Sequence, residues 1–204
     1  ASVIPRVGVG HTMPLMFLSD QAKPLAGCLL ANLASFVLDY CGRQKVGGTH
    51  LTFGYLNQLP VLSPAPSGAP ARWARNETFA GWLVPRVLEL VFTSWDLAPF
   101  ARDCGYDGPP FRWDESRRFL LRCELDAAFF HLYGLGRDAV DYVMETFPIV
   151  KRDDIKRYGD YRTKQVILEV YDAMARAIET GRPYRTIVEP PPADMRVAHT
   201  SSKT

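Results

Sequence analysis

Nine residues divide this chain of 204. Ser63-Pro-Ala-Pro-Ser-Gly-Ala-Pro-Ala71 carries three prolines and a glycine. Proline fixes φ and has no amide hydrogen, so neither a helix interior nor a central strand runs through such a stretch. It reads as a linker over 63–72. It separates a first segment, 1–62, from a subdomain at 73–188. Residues 189–204, opening on Glu-Pro-Pro-Pro192, read as a tail.

Before the linker, residues 3–18 are apolar and β-branched, broken by Gly and Pro. They predict two short strands with a turn near Gly10 to Thr12. Pro24 suits a first helical turn. Leu29, Leu33, Phe36, Val37 and Tyr40 then recur at helical spacing and predict a helix over 25–41, ended by Gly42. A polar loop, Arg43 to His50, leads to a short apolar segment, 51–59. After the linker the pattern is helical. Trp82 to Trp95 is one helix, with Pro85 near its start. Asp114 is the N-cap of a second, running to Tyr133 with apolar residues at 119, 120, 123, 127 and 130. Gly134-Leu-Gly136 breaks the chain, a third helix spans about 137–146, and Pro148 stops it. A charged stretch, 151–164, leads into a helix over 162–180 that Gly181 ends. The fold class expected is α+β and predominantly helical. A small irregular β part near 1–20 and 50–62, with the 25–41 helix, packs beside a helical subdomain.

Several chemistries drop out. No run of about 20 apolar residues offers a membrane span. Ala1-Ser-Val-Ile-Pro-Arg6 has no initiator Met and no basic-then-apolar signal pattern, and is read as the edge of a longer cytoplasmic chain. Cys28, Cys41, Cys104 and Cys123 form no C-x-x-C. The first two, 13 residues apart on one helix, stand about 20 Å apart, beyond disulfide reach. His11, His50, His131 and His199 have no metal-site spacing, so no metal is expected. Val7-Gly-Val-Gly10 lacks the third glycine of a nucleotide loop. Gly108-Pro-Pro-Phe111 looks superficially like the Asn/Asp-Pro-Pro-Tyr/Phe of amino-methyltransferases, but Gly108 has no side chain to accept a hydrogen bond from a target amine. Asp153, Asp154 and Glu169 lack the lysine spacing of a nuclease site.

Charge is more informative when divided. Lys and Arg number 24 and Asp and Glu 22, net +2. Residues 1–75 hold six basic and two acidic side chains, and residues 151–164 hold six and three. The total is therefore +4, +3 and −5 for the rest. Such basic segments contact phosphates and fix register on a duplex, while long polar side chains reach base edges. The candidate DNA-binding residues are Arg43, Gln44, Lys45, Gly47, Gly48, Thr49 and His50 in the loop, and Lys151, Arg152, Lys156, Arg157, Arg162 and Lys164 in the second segment. Gly47 and Gly48 would allow positive φ or a close approach of backbone to DNA.

The stretch Leu29-Leu-Ala-Asn-Leu-Ala-Ser-Phe-Val-Leu-Asp-Tyr-Cys-Gly-Arg-Gln-Lys-Val-Gly-Gly-Thr-His-Leu-Thr-Phe-Gly-Tyr-Leu-Asn-Gln-Leu-Pro-Val-Leu62 resembles the C-terminal target-recognition region of adenine-specific DNA methyltransferases. These belong to Type II and Type IIG restriction–modification systems and related phage-defence proteins. The shared pattern is a "small-L-N-S" helix, an R-x-K-x-G-G loop and an ending in L-P-V. Ala34 stands where relatives often have Asn. Glu124 to Leu135, Tyr142 to Pro148 and Arg157 to Thr163 look like the same family's C-terminal end, so the resemblance covers about 3–185. It implies that this chain is the specificity part of a larger enzyme. The S-adenosylmethionine site and the Asn-Pro-Pro-Tyr motif would lie in an upstream methyltransferase domain, leaving no cofactor and no catalytic residue here. The partners implied are double-stranded DNA and that upstream domain. The alternative reading is a protein-interaction module docking the catalytic domain or another subunit.

Overall fold

The computed structural model describes residues 1–10, 13–48, 51–63 and 65–200. Its helices are α1 (Ala26–Ala34), α2 (Phe36–Lys45), α3 (Phe53–Leu56), α4 (Phe79–Val91), α5 (Ala98–Asp103), α6 (Glu115–Leu132), α7 (Arg137–Glu145), α8 (Pro148–Tyr158) and α9 (Arg162–Thr180), with short 3-10 turns between some of them.

The chain is predominantly helical, but the expected β part is not there. Among the described residues no strand forms, and β pairing is limited to two isolated bridges, Pro70 with Thr78 and Phe111 with Ala198. A strand is stable only when a neighbour completes its hydrogen bonds. Val3, Ile4, Val7 and Val9 have the propensity and find no such neighbour. The apolar segment after His50 holds the short helix α3, capped by Thr52 accepting from the Tyr55 N–H.

Asp114 caps α6 as its position predicts, accepting from the Arg117 N–H at 2.9 Å. The burial of α6 differs from the expected single stripe: every residue from Cys123 to Phe130 is buried. A helix enclosed on all sides is the centre of a bundle. α9 lies along it, α4 crosses it, and α1 stacks on α4. A Cβ at Gly27 would meet Val84, Cys104 and Val87 at 3.6–3.7 Å, so α1 and α4 cross closely. Cys28, Ala31 and Val37 from before the proline-rich stretch share one core with Trp82, Leu83, Val87 and Phe129 from after it. The stretch itself folds inward. Ala65–Gly68 is a 3-10 turn, and Ser67, Ala71 and Trp73 are buried.

The 25–41 helix is two. Ser35 breaks it, accepting from the Leu38 N–H and donating to the Asn32 carbonyl at 2.8 Å, and the two pieces meet at 60°. α2 also runs through Gly42 to Lys45. No single helix among the described residues is long and apolar enough to cross a membrane. α7 ends at Glu145, ahead of Pro148 as expected, but Pro148 also opens α8, where its missing N–H costs no bond. The charged stretch is therefore mostly helix. Gly159, at φ +84°, turns the chain between α8 and α9, and Asp154 of α8 accepts from the Thr163 N–H at 2.6 Å to start α9. α9 ends at Gly181, as expected.

Burying α6 buries its charges. Glu124 is fully enclosed and accepts from Arg86 Nε at 2.7 Å, the Tyr184 hydroxyl at 2.7 Å, the Thr186 hydroxyl at 2.7 Å and the Ile187 N–H at 2.9 Å. Glu89 of α4 accepts from Arg117 and, at 2.9 Å, from the Ala193 N–H. Arg117 also donates to the Pro191 carbonyl at 3.0 Å. Residues 184–199, partly expected as a tail, thus form a strap across the core. His199 N–H closes it by donating to the Pro110 carbonyl at 2.8 Å.

Candidate nucleic-acid interface

The sequence that ends α2 places Arg43, Gln44 and Lys45 on its last turn, all exposed. Cations there are favoured by the helix's own carbonyl end. Arg43 is fully engaged. Its Nε and Nη2 donate to the two Asp39 oxygens at 3.0 Å each, and its guanidinium lies 4.7 Å over the Phe147 ring. Lys45 has no acidic partner among the described residues. Gly47 and Gly48 are exposed with open space around them, but neither adopts the positive φ allowed for at the sequence level. Thr49 and His50 lie outside the described residues.

The second basic segment spreads over α8 and the start of α9. Phe147 precedes α8 directly, so the ring under Arg43 joins the two segments, 108 residues apart in sequence (Arg43 to Lys151). Much of the segment's charge is spent internally. Lys151 meets Glu145 at 2.7 Å, and Lys164 meets Asp141 at 2.9 Å and Glu145 at 2.6 Å. The two lysines hold Glu145 below the ordinary carboxylate range through their hydrogen bonds. Arg152 pairs with its neighbour Asp153. Arg162 is sandwiched 4.7 Å from the Phe119 and Tyr158 rings, and Arg157 lies 5.2 Å over Tyr158. Lys156 is exposed with no acidic partner among the described residues. Counting α7 as well, residues 137–164 hold seven basic and six acidic side chains, net +1. Lys45, Lys156 and Arg157 remain as outward-facing cations without an acidic partner among the described residues, and Gln44 is exposed next to Lys45.

A different cluster escaped the sequence reading. Between α1, α4 and α6 lies a cavity of about 390 Å3 with apolar walls that include Leu30, Ala34, Val87 and Leu90. Three side chains of α6 enter it in line: Arg118, Arg122 and Asp126. Asp126 is buried and accepts from the Phe36 N–H at 2.8 Å; burial pushes its carboxyl up to about 7, against the pull of that bond and of Arg122. Arg118 donates to the Leu90 carbonyl at 2.7 Å and stacks 3.6 Å from the exposed Trp113 ring. Burial, with Arg122 nearby, lowers the pKa of Arg118. Arg122 reaches Glu115 only at 3.4 Å. The legible signal is charges of both signs at 118, 122 and 126, in four-residue steps along one helical face.

Other reactive groups are quiet. His131 stacks on Tyr171 at 3.9 Å and bonds its carbonyl at 3.0 Å, and burial lowers its pKa. All four cysteines are free; burial pushes the Cys28 and Cys104 thiols up to about 11, away from thiolate chemistry. Among the described residues no group of three or more His, Cys, Asp or Glu gathers to hold a metal. No family model, no curated protein and no solved structure matches this chain.

Proposed function

We propose that this chain recognises double-stranded DNA as the C-terminal specificity region of an adenine-N6 DNA methyltransferase or restriction–modification enzyme. Methyl transfer and S-adenosylmethionine belong, in this reading, to an upstream catalytic domain, and this chain supplies recognition and positioning. The observation that carries it is the junction at Phe147, where the end of α2 and the foot of α8 meet. Two basic segments far apart in sequence become neighbours there, beside the Arg43-Gln-Lys-Val-Gly-Gly48 pattern on which the resemblance rests.

On this surface Lys45, Lys156 and Arg157 contact phosphates, and Gln44 reaches a base edge. Arg43 holds the end of α2 against Phe147 and presents its neighbours. The test is anisotropy of a labelled duplex between low and physiological salt. Affinity should fall linearly on logarithmic axes, and each phosphate contact removed by Lys45→Ala or Lys156→Ala should flatten the slope by about 0.9. An unchanged affinity and slope in the double variant removes this surface from the interface.

A second reading draws on exposed apolar groups. Tyr142, Ile149 and Ile155 lie open on α7 and α8, and Phe17 and Phe53 near the N-terminal part. They suit docking of the upstream domain or another subunit. Retention of that partner by variants that no longer bind duplex would favour it.

A further inference from the structure

We infer that the cavity between α1, α4 and α6 is a nucleotide site, taking an amino-bearing nucleobase on Asp126 and its phosphate on Arg118 and Arg122. None of these residues belongs to the basic surface of α2 and α8, so the inference stands or falls apart from duplex recognition.

The order of charges along α6 selects the ligand. Asp126, Arg122 and Arg118 are each four residues apart, so they rise along one face by about 6 Å per step and about 12 Å in all. The acid is buried, Arg118 stands against the exposed Trp113, and Arg122 lies between them along the helix. A matching molecule carries an N–H donor at one end, an anion at the other and a flat apolar body between them. A plain anion leaves Asp126 unexplained, a plain cation meets two arginines, and a hydrocarbon satisfies neither end.

Each contact has a reason. One oxygen of Asp126 accepts from the Phe36 N–H, and its second has no partner among the described residues. Arg122 offsets only part of the cost of burying this carboxyl, and an exocyclic amine would add a second donor to it. Arg118 is fixed before any ligand arrives, by the Leu90 carbonyl and the Trp113 ring, and keeps Nε and Nη2 for a phosphate oxygen pair. Glu115 holds Arg122 only at 3.4 Å in the open, a contact a phosphate displaces. The walls are largely aliphatic and suit the faces of a flat base, while the indole is already taken up in holding Arg118. A volume of about 390 Å3 lies within the range of small-molecule sites.

Calorimetry on the 204-residue chain tests this with four probes: dAMP, dIMP (a carbonyl in place of the amine), inorganic phosphate and a short single-stranded oligodeoxyadenylate. The expected result is saturable dAMP binding, about tenfold tighter than dIMP. Arg122→Gln, an exposed change that leaves packing alone, should weaken dAMP about tenfold and leave deoxyadenosine unaffected. Asp126→Asn should weaken both, with the fold checked by circular dichroism. A strand bound much more tightly than dAMP assigns the base to single-stranded DNA; equal or weaker binding assigns it to a free nucleotide. No saturable binding of dAMP or of the strand, equal binding of dIMP, displacement by phosphate at the same concentration, or an indifferent Arg122→Gln each overturns the site. Duplex affinity is measured alongside: Lys45→Ala with Lys156→Ala should change only the duplex, and Arg122→Gln only the nucleotide.

Discussion

The molecule holds two systems of charge that look alike in composition and behave differently. Around α6, Arg86 with Glu124 and Arg117 with Glu89 are sealed from water, and every one of these four side chains is at least nine-tenths buried. Around α8, Lys151, Glu145 and Asp141 lie in the open and the partly covered Lys164 joins them, at equally short distances. Distance does not distinguish them; the surrounding medium does. Tyrosine, threonine and backbone donors complete the inner carboxylates and offset the cost of burying them, although Arg117 Nη1 has no partner among the described residues. The outer pairs exchange freely with water and salt, each worth little to stability. That leaves them open to exchange one another for a phosphate.

The comparison breaks most visibly at Glu124. Glu124→Gln keeps the shape but strips Arg86 of its counter-charge, and should cost about 3–5 kcal/mol, read as a lowered denaturation midpoint. Asp126 comes next and turns on pH. Its folded pKa is raised, to about 7 from 3.8, by burial. Between those values the folded protein keeps a proton that the unfolded chain has lost. Stability from this group is full below about pH 4 and lost as pH rises through about 7. Arg122 and the Phe36 N–H temper the loss. Asp126→Asn should remove a slope of roughly 4 kcal/mol across that window in urea titrations at stepped pH. Ser35→Ala, which deletes the cap at the α1–α2 bend, should cost about 1 kcal/mol by the same assay. Lys156→Ala should change stability by under about 0.5 kcal/mol, while still flattening the salt dependence of duplex binding. A large destabilisation there would put Lys156 in the structural system.

Local signals were readable and partnered ones were not. Asp114 and Gly181 mark the start of α6 and the end of α9 because capping depends on a few consecutive residues. Pro148 marks the end of α7, but one residue type both stops helices and begins them, and only the chain after it shows that α8 starts there. The expected strands failed because pairing is a property of two segments, and Val7 or Val9 says nothing about a missing neighbour. The basic segments were visible as sums. That Lys164 is tied to Asp141 and Glu145, 23 and 19 residues earlier, depends on how α7 packs on α9. The Arg118, Arg122 and Asp126 line is written in plain four-residue steps, but only the packing of α1 and α4 against that face makes a cavity of it.

The strap has a consequence for how the protein is made. The amide and hydroxyl groups that complete Glu124 and Glu89 belong to residues 184–193, and the bond that closes the strap to residue 199. Once α9 has been made every core helix is present, yet two enclosed carboxylates still lack their donors. The bundle therefore cannot seal until residues 184–199 have followed the helices out. Premature termination anywhere in that stretch yields a product whose helices are intact and whose centre stays wet, a natural target for quality control.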